Sequence, residues 1–341
     1  MMRSFRQLRI IAVFLLFTFS ASVLNPGPAL ADDQWYWLAG GWHLGSGSTP
    51  PQPKSPPPPK APPHNPCEKG KPVNVFSGEE SYECVDLHIP GRGMDLNIIH
   101  TYRSGFLGHS AFGAKWSMNY HERLMLFADG NARIARDAGQ IDYYTFTGNG
   151  VYAASAGRFE QLVQNVNGTW TLTKDHGEKH NFDINGALSS IVDRNGNTIS
   201  FAYNPAGLMP VQVPVQNSQS NGVSPVVAVN DYRLLSITDT MGRVVNLNYD
   251  TNGHLTSIVD FAGRTVSFGY DTAGNLTSIT KPATAQFPGG VTKVFSYDSD
   301  HNLLTVRDPK NQTFVTNHYD SISRVTSQDL GTGTMTFNYA A

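Results

Sequence analysis

Apolar and polar residues alternate in short runs over the C-terminal two thirds of the chain. A period of two places successive side chains on opposite faces of an extended strand, so that one face is buried and the other is in water. The apolar faces of four such runs are formed by Ile199, Phe201 and Tyr203, by Val245, Leu247 and Tyr249, by Val266, Phe268 and Tyr270, and by Met335, Phe337 and Tyr339. The pattern predicts half-buried β-strands.

These runs belong to a repeated phrase of about 21 residues. Residues 249–270 contain one copy, and Tyr270 opens the next. The spacing from Tyr249 to Tyr270 is 21 residues, and the three following intervals are 27, 22 and 20 residues. An insertion around Pro282 explains the long interval. Self-similarity at a fixed period is typical of repeat architectures.

Turn-forming residues separate the runs, mostly as Asp-x-x-Gly or Asn-Gly. Glycine adopts a positive φ without steric cost, and Asp or Asn accepts hydrogen bonds from the backbone that follows it. Each phrase therefore predicts a β-hairpin. A single hairpin is marginal in water, whereas stacked copies bury a continuous core. The fold class predicted is all-β, a repetitive array of antiparallel β-hairpins.

The phrase resembles the YD repeat of bacterial Rhs proteins, whose signature is approximately Y-D-x-x-G-x-L-x-x-I-x-D-x-x-G-R-x-x-x-F-x-Y. Residues 249–270 match it almost letter for letter, and related copies cover residues 182–341. The resemblance implies a β-strip that coils into part of a hollow shell around a C-terminal toxin. Its anchors here are Tyr203, Tyr249, Asp250, Gly253, Gly263, Arg264, Tyr270, Asp271, Gly274, Tyr297, Asp298, Tyr319 and Asp320.

Residues 1–31 have the features of a secretory signal peptide: three Arg residues, a short apolar run and an Ala-Leu-Ala end. The apolar run is too short for a membrane helix. We therefore expect a secreted, periplasmic or cell-surface protein of a bacterium, with no membrane association after cleavage. Cleavage leaves 22 basic and 27 acidic residues, a formal net charge of −5, which argues against nucleic acid as a partner.

Residues 32–66 combine an aromatic stub with a proline-rich linker. Trp35, Tyr36, Trp37 and Trp42 form a strand that packs onto the body or, alternatively, a ligand platform or a stub that docks a partner. Ten prolines within residues 50–66 favour an extended polyproline II spacer.

Residues 67–125 contain a second resemblance, to the uncharacterised domain that precedes the repeats in many Rhs-type proteins. It rests on the motifs that begin at Pro72 and Val85, on Tyr102-Arg103-Ser104, and on Gly113-Ala-Lys-Trp116. Thr101 stands where the family usually has Arg. In the family, this pre-repeat domain belongs to the closed end of the shell.

Cys67 and Cys84 are the only cysteines. An even count in an exported chain favours a disulfide, which would close an 18-residue loop and contribute about 3 kcal/mol. Free thiols or a metal site are the alternatives. Between the two cysteines, alternation on both sides of Ser77-Gly78 predicts a hairpin.

Residues 126–181 are predicted to be degenerate β-repeats, with hairpins around Asp129-Gly130, Gly148-Asn149-Gly150 and Asp175-His176-Gly177. Residues 182–341 hold the clear repeats, interrupted by an inserted loop at 204–231.

No residue is assigned a catalytic, cofactor or metal-binding role. His176 and His180 have i, i+4 spacing, but Gly177 favours a turn in place of the helix that a zinc protease motif needs. Recurrent Asp residues occupy fixed turn positions and so have a repeated structural role.

We expect an exported, non-catalytic scaffold, the front part of a polymorphic-toxin shell used in toxin delivery or contact-dependent competition. About seven copies are too few to enclose a toxin, so the partners expected are further repeats and a toxin in a longer chain or a split gene. The alternatives are a stand-alone module that binds carbohydrate or cell wall and, less favoured, a secreted hydrolase.

Overall fold

The computed structural model describes residues 73–127, 129–212 and 228–339, and the backbone of two short strands nearer the N-terminus. The chain divides into two compact units, 1–61 and 62–341. In the first unit, strands Trp35–Leu38 (β1) and Gly41–Leu44 (β2) pair antiparallel, with Trp37 opposite Trp42. The predicted signal peptide and proline-rich linker lie outside the described residues. No helix in the described part of the chain is long and apolar enough to cross a bilayer.

The pre-repeat domain forms a small antiparallel sheet of its own. Its three strands are Ser81–Ile89 (β3), Leu96–Arg103 (β4) and Trp116–Met118 (β7), in the order β3-β4-β7. Two short strands, His109–Ser110 (β5) and Gly113–Ala114 (β6), pair in the connection.

The hairpin predicted around Ser77-Gly78 is wrong. Residues 73–79 form turns in place of a strand, because Gly78 N donates to Asn74 O and Asn74 N donates to Glu79 O. Strand β3 instead pairs with β4, with Tyr82 opposite Tyr102.

In the described residues from 123 onward, one antiparallel sheet of nineteen strands forms, and its strands pair in sequence order. The first nine are Arg123–Leu126 (β8), Ala132–Ala135 (β9), Ile141–Gly148 (β10), Val151–Ala154 (β11), Gln161–Gln164 (β12), Trp170–Thr173 (β13), Lys179–Phe182 (β14), Leu188–Val192 (β15) and Thr198–Gln212 (β16). The remaining ten are Ala228–Thr238 (β17), Val244–Tyr249 (β18), Leu255–Val259 (β19), Thr265–Tyr270 (β20), Leu276–Lys281 (β21), Val291–Tyr297 (β22), Leu303–Arg307 (β23), Thr313–Tyr319 (β24), Val325–Asp329 (β25) and Thr334–Thr336 (β26). The predicted all-β hairpin array is confirmed.

The sheet closes on itself near its beginning. Arg123 in β8 forms a single antiparallel bridge with Ala187, and Leu124 N donates to Gly186 O over 2.8 Å. Gly186 has a φ of +80°, and a Cβ there would overlap the Leu124 carbonyl oxygen. A glycine is therefore required at this point of closure.

The inner face of the sheet carries the predicted apolar positions. Val245 and Val266 are at most 1% exposed, and Phe268, two residues after Val266, is 7% exposed. Ser and Thr occupy the opposite face, as the cross-strand pair of Ser257 with Ser267 illustrates. The alternation of the sequence thus sets which face is buried.

Among the described residues, nine turns share one hydrogen-bonding pattern built on an aspartate. In each turn, one carboxylate oxygen accepts the backbone N–H groups two and four residues later, at 2.8–3.1 Å. The residue three positions after the aspartate has a positive φ, which explains glycine at Gly253, Gly263 and Gly274. His301, Asn311 and Ser323 take the same conformation in the last three turns.

The repeat tyrosines join successive phrases. The hydroxyls of five of them donate to the backbone carbonyl of a residue in the preceding phrase, at 2.6–3.0 Å. The pairs are Tyr249 with Leu234, Tyr270 with Leu255, Tyr297 with Leu276, Tyr319 with Leu303, and Tyr339 with Val325. The bond from Tyr297 is kept although the interval that precedes this tyrosine is 27 residues long, so these bonds join neighbouring phrases whatever the length of the connection.

The segment 204–231, predicted as an inserted loop, is partly strand. Strands β16 and β17 continue to pair as far as Gln212 and Ala228, with an irregularity between Asn204 and Met209. The insertion therefore lengthens a hairpin and leaves the sheet continuous. Its centre, 213–227, lies outside the described residues.

Replacing Asp260 by Ala should destabilise the unit by about 1–2 kcal/mol, because the N–H groups of Ala262 and Arg264 lose their acceptor. Asp260→Asn keeps one acceptor oxygen and should lose less. Urea unfolding at neutral pH measures both variants against the parent. Identical midpoints for all three proteins would contradict the role given to the turn carboxylate.

Candidate functional site

The pre-repeat domain packs on the inner face of the repeat sheet, and Trp116 lies at the centre of the contact. Its indole N–H donates to the Tyr297 hydroxyl over 3.0 Å. The ring meets Tyr82 and Phe295 edge to face, with centroids 6.5 and 5.7 Å apart. Trp116 is 0% exposed, so this aromatic cluster is completely removed from water.

The pre-repeat domain also supplies acceptors for backbone N–H groups that follow the Tyr-Asp turns. Leu255 N donates to Ala111 O over 2.7 Å, and Val325 N donates to Gly78 O over 2.8 Å. Leu303 N donates to the Tyr102 hydroxyl over 2.9 Å. A buried N–H group without a partner is costly. These three hydrogen bonds therefore favour one position of the pre-repeat domain on the sheet, in addition to the apolar contacts.

A buried ionic group links the two parts of the unit through Asp86. This residue lies at a register irregularity of β3, and its carboxylate is 2.6 Å from His100 Nδ1. Lys281, from the repeat sheet, bonds the Asp86 carbonyl and lies 3.8 Å from its carboxylate. Burial lowers the pKa of Lys281, and the Asp86 charge partly opposes that effect. Both side chains of the Asp86–His100 pair are 0% exposed.

A second buried polar group consists of one acid, Glu80, and two amides, Gln328 and Asn317. We call these three residues the amide trio. Gln328 Nε2 donates to Glu80 Oε2 over 2.8 Å and to Asn317 Oδ1 over 2.9 Å. Asn317 in turn donates to the Leu303 carbonyl. All three side chains are at most 1% exposed. Burial raises the pKa of Glu80 to about 8, against the lowering effect of the Gln328 bond, so the carboxyl is protonated at neutral pH.

Lys115 reaches two successive Tyr-Asp turns. Its ammonium donates to Asn302 Oδ1 over 2.6 Å and to Ser323 Oγ over 3.3 Å. The residue has a φ of +64° and is 6% exposed. Burial lowers its pKa, which the Asp298 and Asp300 charges partly restore.

A charged cluster closes the start of the array around Arg136. Its guanidinium pairs with Glu122 over 2.9 Å and with Glu160 over 3.4 Å, and it also bonds Asp142. Burial opposes the charge of Glu122, but the bond and charge of His180 and the charge of Arg136 leave its pKa lowered overall. The cluster is internally compensated, as buried charges must be.

His180 belongs to this cluster, whereas His176 does not. His180 lies between two carboxylates, with Nδ1 2.6 Å from Glu122 and Nε2 2.9 Å from Glu178. His176 is exposed and lies beside Asp175. The two imidazoles therefore do not converge. Within the described ranges, no group of three or more His, Cys, Asp or Glu side chains is placed to hold a metal ion.

The repeat anchors lie at the turns and strand ends of the sheet. Four of their tyrosines, Tyr203, Tyr249, Tyr270 and Tyr297, pack against the core, and their aspartates and glycines shape the turns described above. Arg264 donates to Asp260 over 2.6 Å within its own turn. Tyr203, whose side chain packs against the same core, stands before the insertion. Cys84 is 1% exposed in β3, and its predicted disulfide partner Cys67 lies outside the described residues, so that pairing stays a prediction.

Sequence reasoning missed the residues that fix the pre-repeat domain on the sheet, notably Glu80, Asp86 and Lys115. One signal was available: Asn317 and Gln328 stand where the other phrases have apolar residues. A polar residue at a core position of a repeat indicates a partner outside the repeat.

Comparisons with known families agree with this architecture. The model described as "Domain of unknown function (DUF6531)" matches residues 70–144, and the model described as "Teneurin YD-shell" matches residues 162–288. The fold defines a β-repeat scaffold whose repeat sheet holds a pre-repeat domain. In both of its parts the chain is similar to proteins of the Rhs/YD-repeat family.

Two relatives are nucleases by name. The "tRNA nuclease WapA" of Bacillus subtilis (strain 168) is 26% identical over 257 residues, which are 70% of this chain and 11% of that protein. The "tRNA3(Ser)-specific nuclease WapA" of Bacillus spizizenii is 27% identical over 135 residues, 40% of this chain and 6% of that protein. The chain therefore spans only about a tenth of these relatives, or less.

Among solved structures, a similar chain is that in "Crystal Structure of TcdB2-TccC3 without hypervariable C-terminal region". It is 13% identical and has a TM-score of 0.23, with 72% of this chain and 14% of that chain covered. A TM-score this low carries no information about function.

Glu80→Gln should remove a pH dependence of stability. The pKa of Glu80 is about 8 in the folded chain, against an ordinary value of 4.5. The stability that protonated Glu80 contributes to the folded chain is therefore complete below about pH 4.5 and is lost as the pH rises through about 8. Across this window, the free energy of unfolding of the variant should rise relative to the parent by up to about 1.4 kcal/mol per pH unit.

Urea unfolding at a series of pH values measures this difference. Asp300→Asn, which removes an exposed turn carboxylate, is the matched control and should show no such window. A constant difference between Glu80→Gln and the parent from pH 5 to pH 9 would show that Glu80 is ionised in the folded chain.

Gly113→Ala should weaken the fit of the pre-repeat domain. Gly113 has a φ of +94°, and a Cβ there would overlap the carbonyl oxygen of Gly274 in a Tyr-Asp turn. The control is Gly263→Ala, which has a similar φ of +76° but open space around the new methyl group. Both variants carry the cost of a left-handed alanine, about 1 kcal/mol. Gly113→Ala should lose a further 1–3 kcal/mol or so from the overlap. Equal losses in urea would mean that the contact is not tight.

Proposed function

We propose that this chain is the front part of an exported β-shell that carries a toxin, with the pre-repeat domain occupying the inner face at the closed end. The observation that supports this most strongly is the burial of Trp116 and Tyr82 between the small sheet and the repeats. A surface so completely covered is a permanent structural contact, because its aromatic rings would form a large apolar patch if they were exposed.

The arrangement supports a role as an end piece. The pre-repeat domain fills the inner face against the later strands, as the contacts with Leu255, Leu303 and Val325 indicate. The described part of the sheet thus covers the pre-repeat domain of the same unit. A toxin would be held in a continuation of the shell, formed by further repeats in the same polypeptide or in a product of a split gene.

The chain itself is proposed to be non-catalytic. Several of its buried titratable groups are engaged with one another, as in the pairs of Asp86 with His100 and of Glu122 with His180. The nuclease activity in the names of the relatives would then reside in parts of those proteins that this chain does not span. Export through the predicted signal peptide would bring the shell to the periplasm, to the cell surface or outside the cell.

Carbohydrate binding by the repeat tyrosines has less support. Stacking on a sugar requires an exposed aromatic face, and these residues instead use their hydroxyls to join neighbouring phrases, as Tyr270 does with Leu255. The pKa of Tyr297 is raised well above its usual value, chiefly because the ring is buried. Any carbohydrate site would have to lie elsewhere, for example in the stub around Trp35 and Trp42.

The proposal predicts the mass of the native polypeptide and the chain with which it associates. An antibody against residues 73–339 should detect, in the exported fraction of the source bacterium, either a band far above 37.3 kDa or a complex with a chain that contains further Tyr-Asp phrases and a toxic C-terminal domain. Peptide mass spectrometry of the immunoprecipitate identifies that chain. A lone product of 37.3 kDa or less that is retained on purified cell wall would contradict the shell and favour a binding module.

A further inference from the structure

The amide trio interrupts the repeat at two paired core positions, one on each side of the Tyr319-Asp320 turn. Eight residues after the turn aspartate, the earlier phrases have Ile258, Ile279 and Val306, and the last has Gln328. Two residues before the repeat tyrosine, three earlier strands have Leu247, Phe268 and Phe295, and the strand that ends at Tyr319 has Asn317. The apolar residues at these positions are between 0% and 7% exposed, and the two amides are as deeply buried. Two core apolar groups have thus been replaced by amides without a gain in solvent exposure.

The partner of these amides is Glu80 of the pre-repeat domain. Gln328 Nε2 donates to Glu80 Oε2, whereas Glu80 Oε1 and Gln328 Oε1 are buried without a hydrogen-bond partner. A protonated acid offers one O–H donor and an acceptor oxygen, and an amide offers a carbonyl acceptor besides its two N–H donors. A proton on Glu80 Oε1 therefore allows a second, reciprocal bond to the amide oxygen and satisfies both atoms.

A repeated sheet presents a problem of alignment. Its inner face looks nearly the same after every phrase, so that a domain packed against it by apolar contacts alone has several similar positions. A shift by one phrase would bring Glu80 opposite Val306, in a site with no amide. A buried acid without a hydrogen-bond partner costs several kcal/mol, which penalises the shifted position.

We infer that Glu80, Gln328 and Asn317 determine the register of the pre-repeat domain on the repeat sheet, as a polar lock that only one phrase satisfies. The inference concerns the folding of this chain and holds whether or not the shell carries a toxin. A buried polar group that specifies register at some cost in stability is the best-attested use of such groups.

The test separates register from stability. In the triple variant Glu80→Met, Asn317→Phe and Gln328→Val, the last phrase resembles the others and the acid is gone. Spin labels at Phe76→Cys, which is 98% exposed, and at Lys310→Cys, which lies in an exposed turn, measure the distance between the two parts. Chain without these two cysteines should take up no label, which checks that Cys67 and Cys84 do not react.

The parent should give one narrow distance. The triple variant should give that distance and a second one that differs by up to about 10 Å, the separation across two strands. Its urea midpoint should equal or exceed that of the parent, because apolar replacements of buried polar groups are often stabilising. The control Asn248→Leu, which removes an exposed amide from the outer face, should keep the single distance. A single, unchanged distance in the triple variant would overturn the inference.

A second variant decides the matter if the triple variant does not fold. Exchanging two residues, Val306→Gln with Gln328→Val, moves the amide partner of Glu80 one phrase earlier. The distance distribution should then gain the displaced population. If the exchanged protein keeps the parent distance alone, then the amide does not determine register.

Discussion

The inner face of the repeat sheet must be covered, and the rest of the structure depends on that constraint. Each Tyr-Asp phrase makes a hairpin whose inner side chains, such as Val266 and Phe268, are apolar. Two strands cannot bury such a face by themselves. Neighbouring phrases extend the face without covering it. The pre-repeat domain provides the cover, with Trp116 packed against Phe295 at its centre. The first strands of the sheet solve the same problem by closing on themselves at Arg123 and Ala187.

Covering an inner face with a folded domain also buries polar groups, and the chain provides partners for several of them in different ways. The N–H groups of Leu255 and Val325 receive acceptors from the pre-repeat backbone. Asp86 lies between His100 and Lys281, so that a buried carboxylate has basic groups on both sides. Glu80 is instead kept neutral, because burial raises its pKa. The stability of the unit is thereby linked to proton binding inside the interface, although the outer surface carries many more titratable groups.

Much of the sheet could be predicted from the sequence. The period-two runs located strands, and the Asp-x-x-Gly segments located turns, because both are local properties of the backbone. The pattern also separated the inner face from the outer face. Even the reason for aspartate was accessible, since a side chain such as that of Asp260 bonds backbone only two and four residues away.

The position of the pre-repeat domain on the repeat sheet could not be predicted in the same way. The bond from Gln328 to Glu80 joins residues 248 positions apart, and no local pattern indicates such a pair. Apolar and polar residues alternate on both sides of Gly78, and this local pattern predicts a hairpin where the structure has a turn. The role of the Gly78 carbonyl as acceptor for the Val325 N–H depends on a distant phrase, which no local pattern shows. The sequence shows the amides at 317 and 328 as departures from the repeat. Their role could not be inferred from it, because the sequence does not place Glu80 beside them.

Hydrogen exchange of single backbone amides tests the central claim most directly. The N–H groups of Leu255, Leu303 and Val325 have all their acceptors in the pre-repeat domain. If that domain is seated on the inner face, these three amides should exchange as slowly as those in the middle of the neighbouring strands, such as Ile258. If they exchange as fast as exposed turn amides while Ile258 remains protected, the repeat sheet folds without the pre-repeat domain on its inner face, and the central claim is wrong.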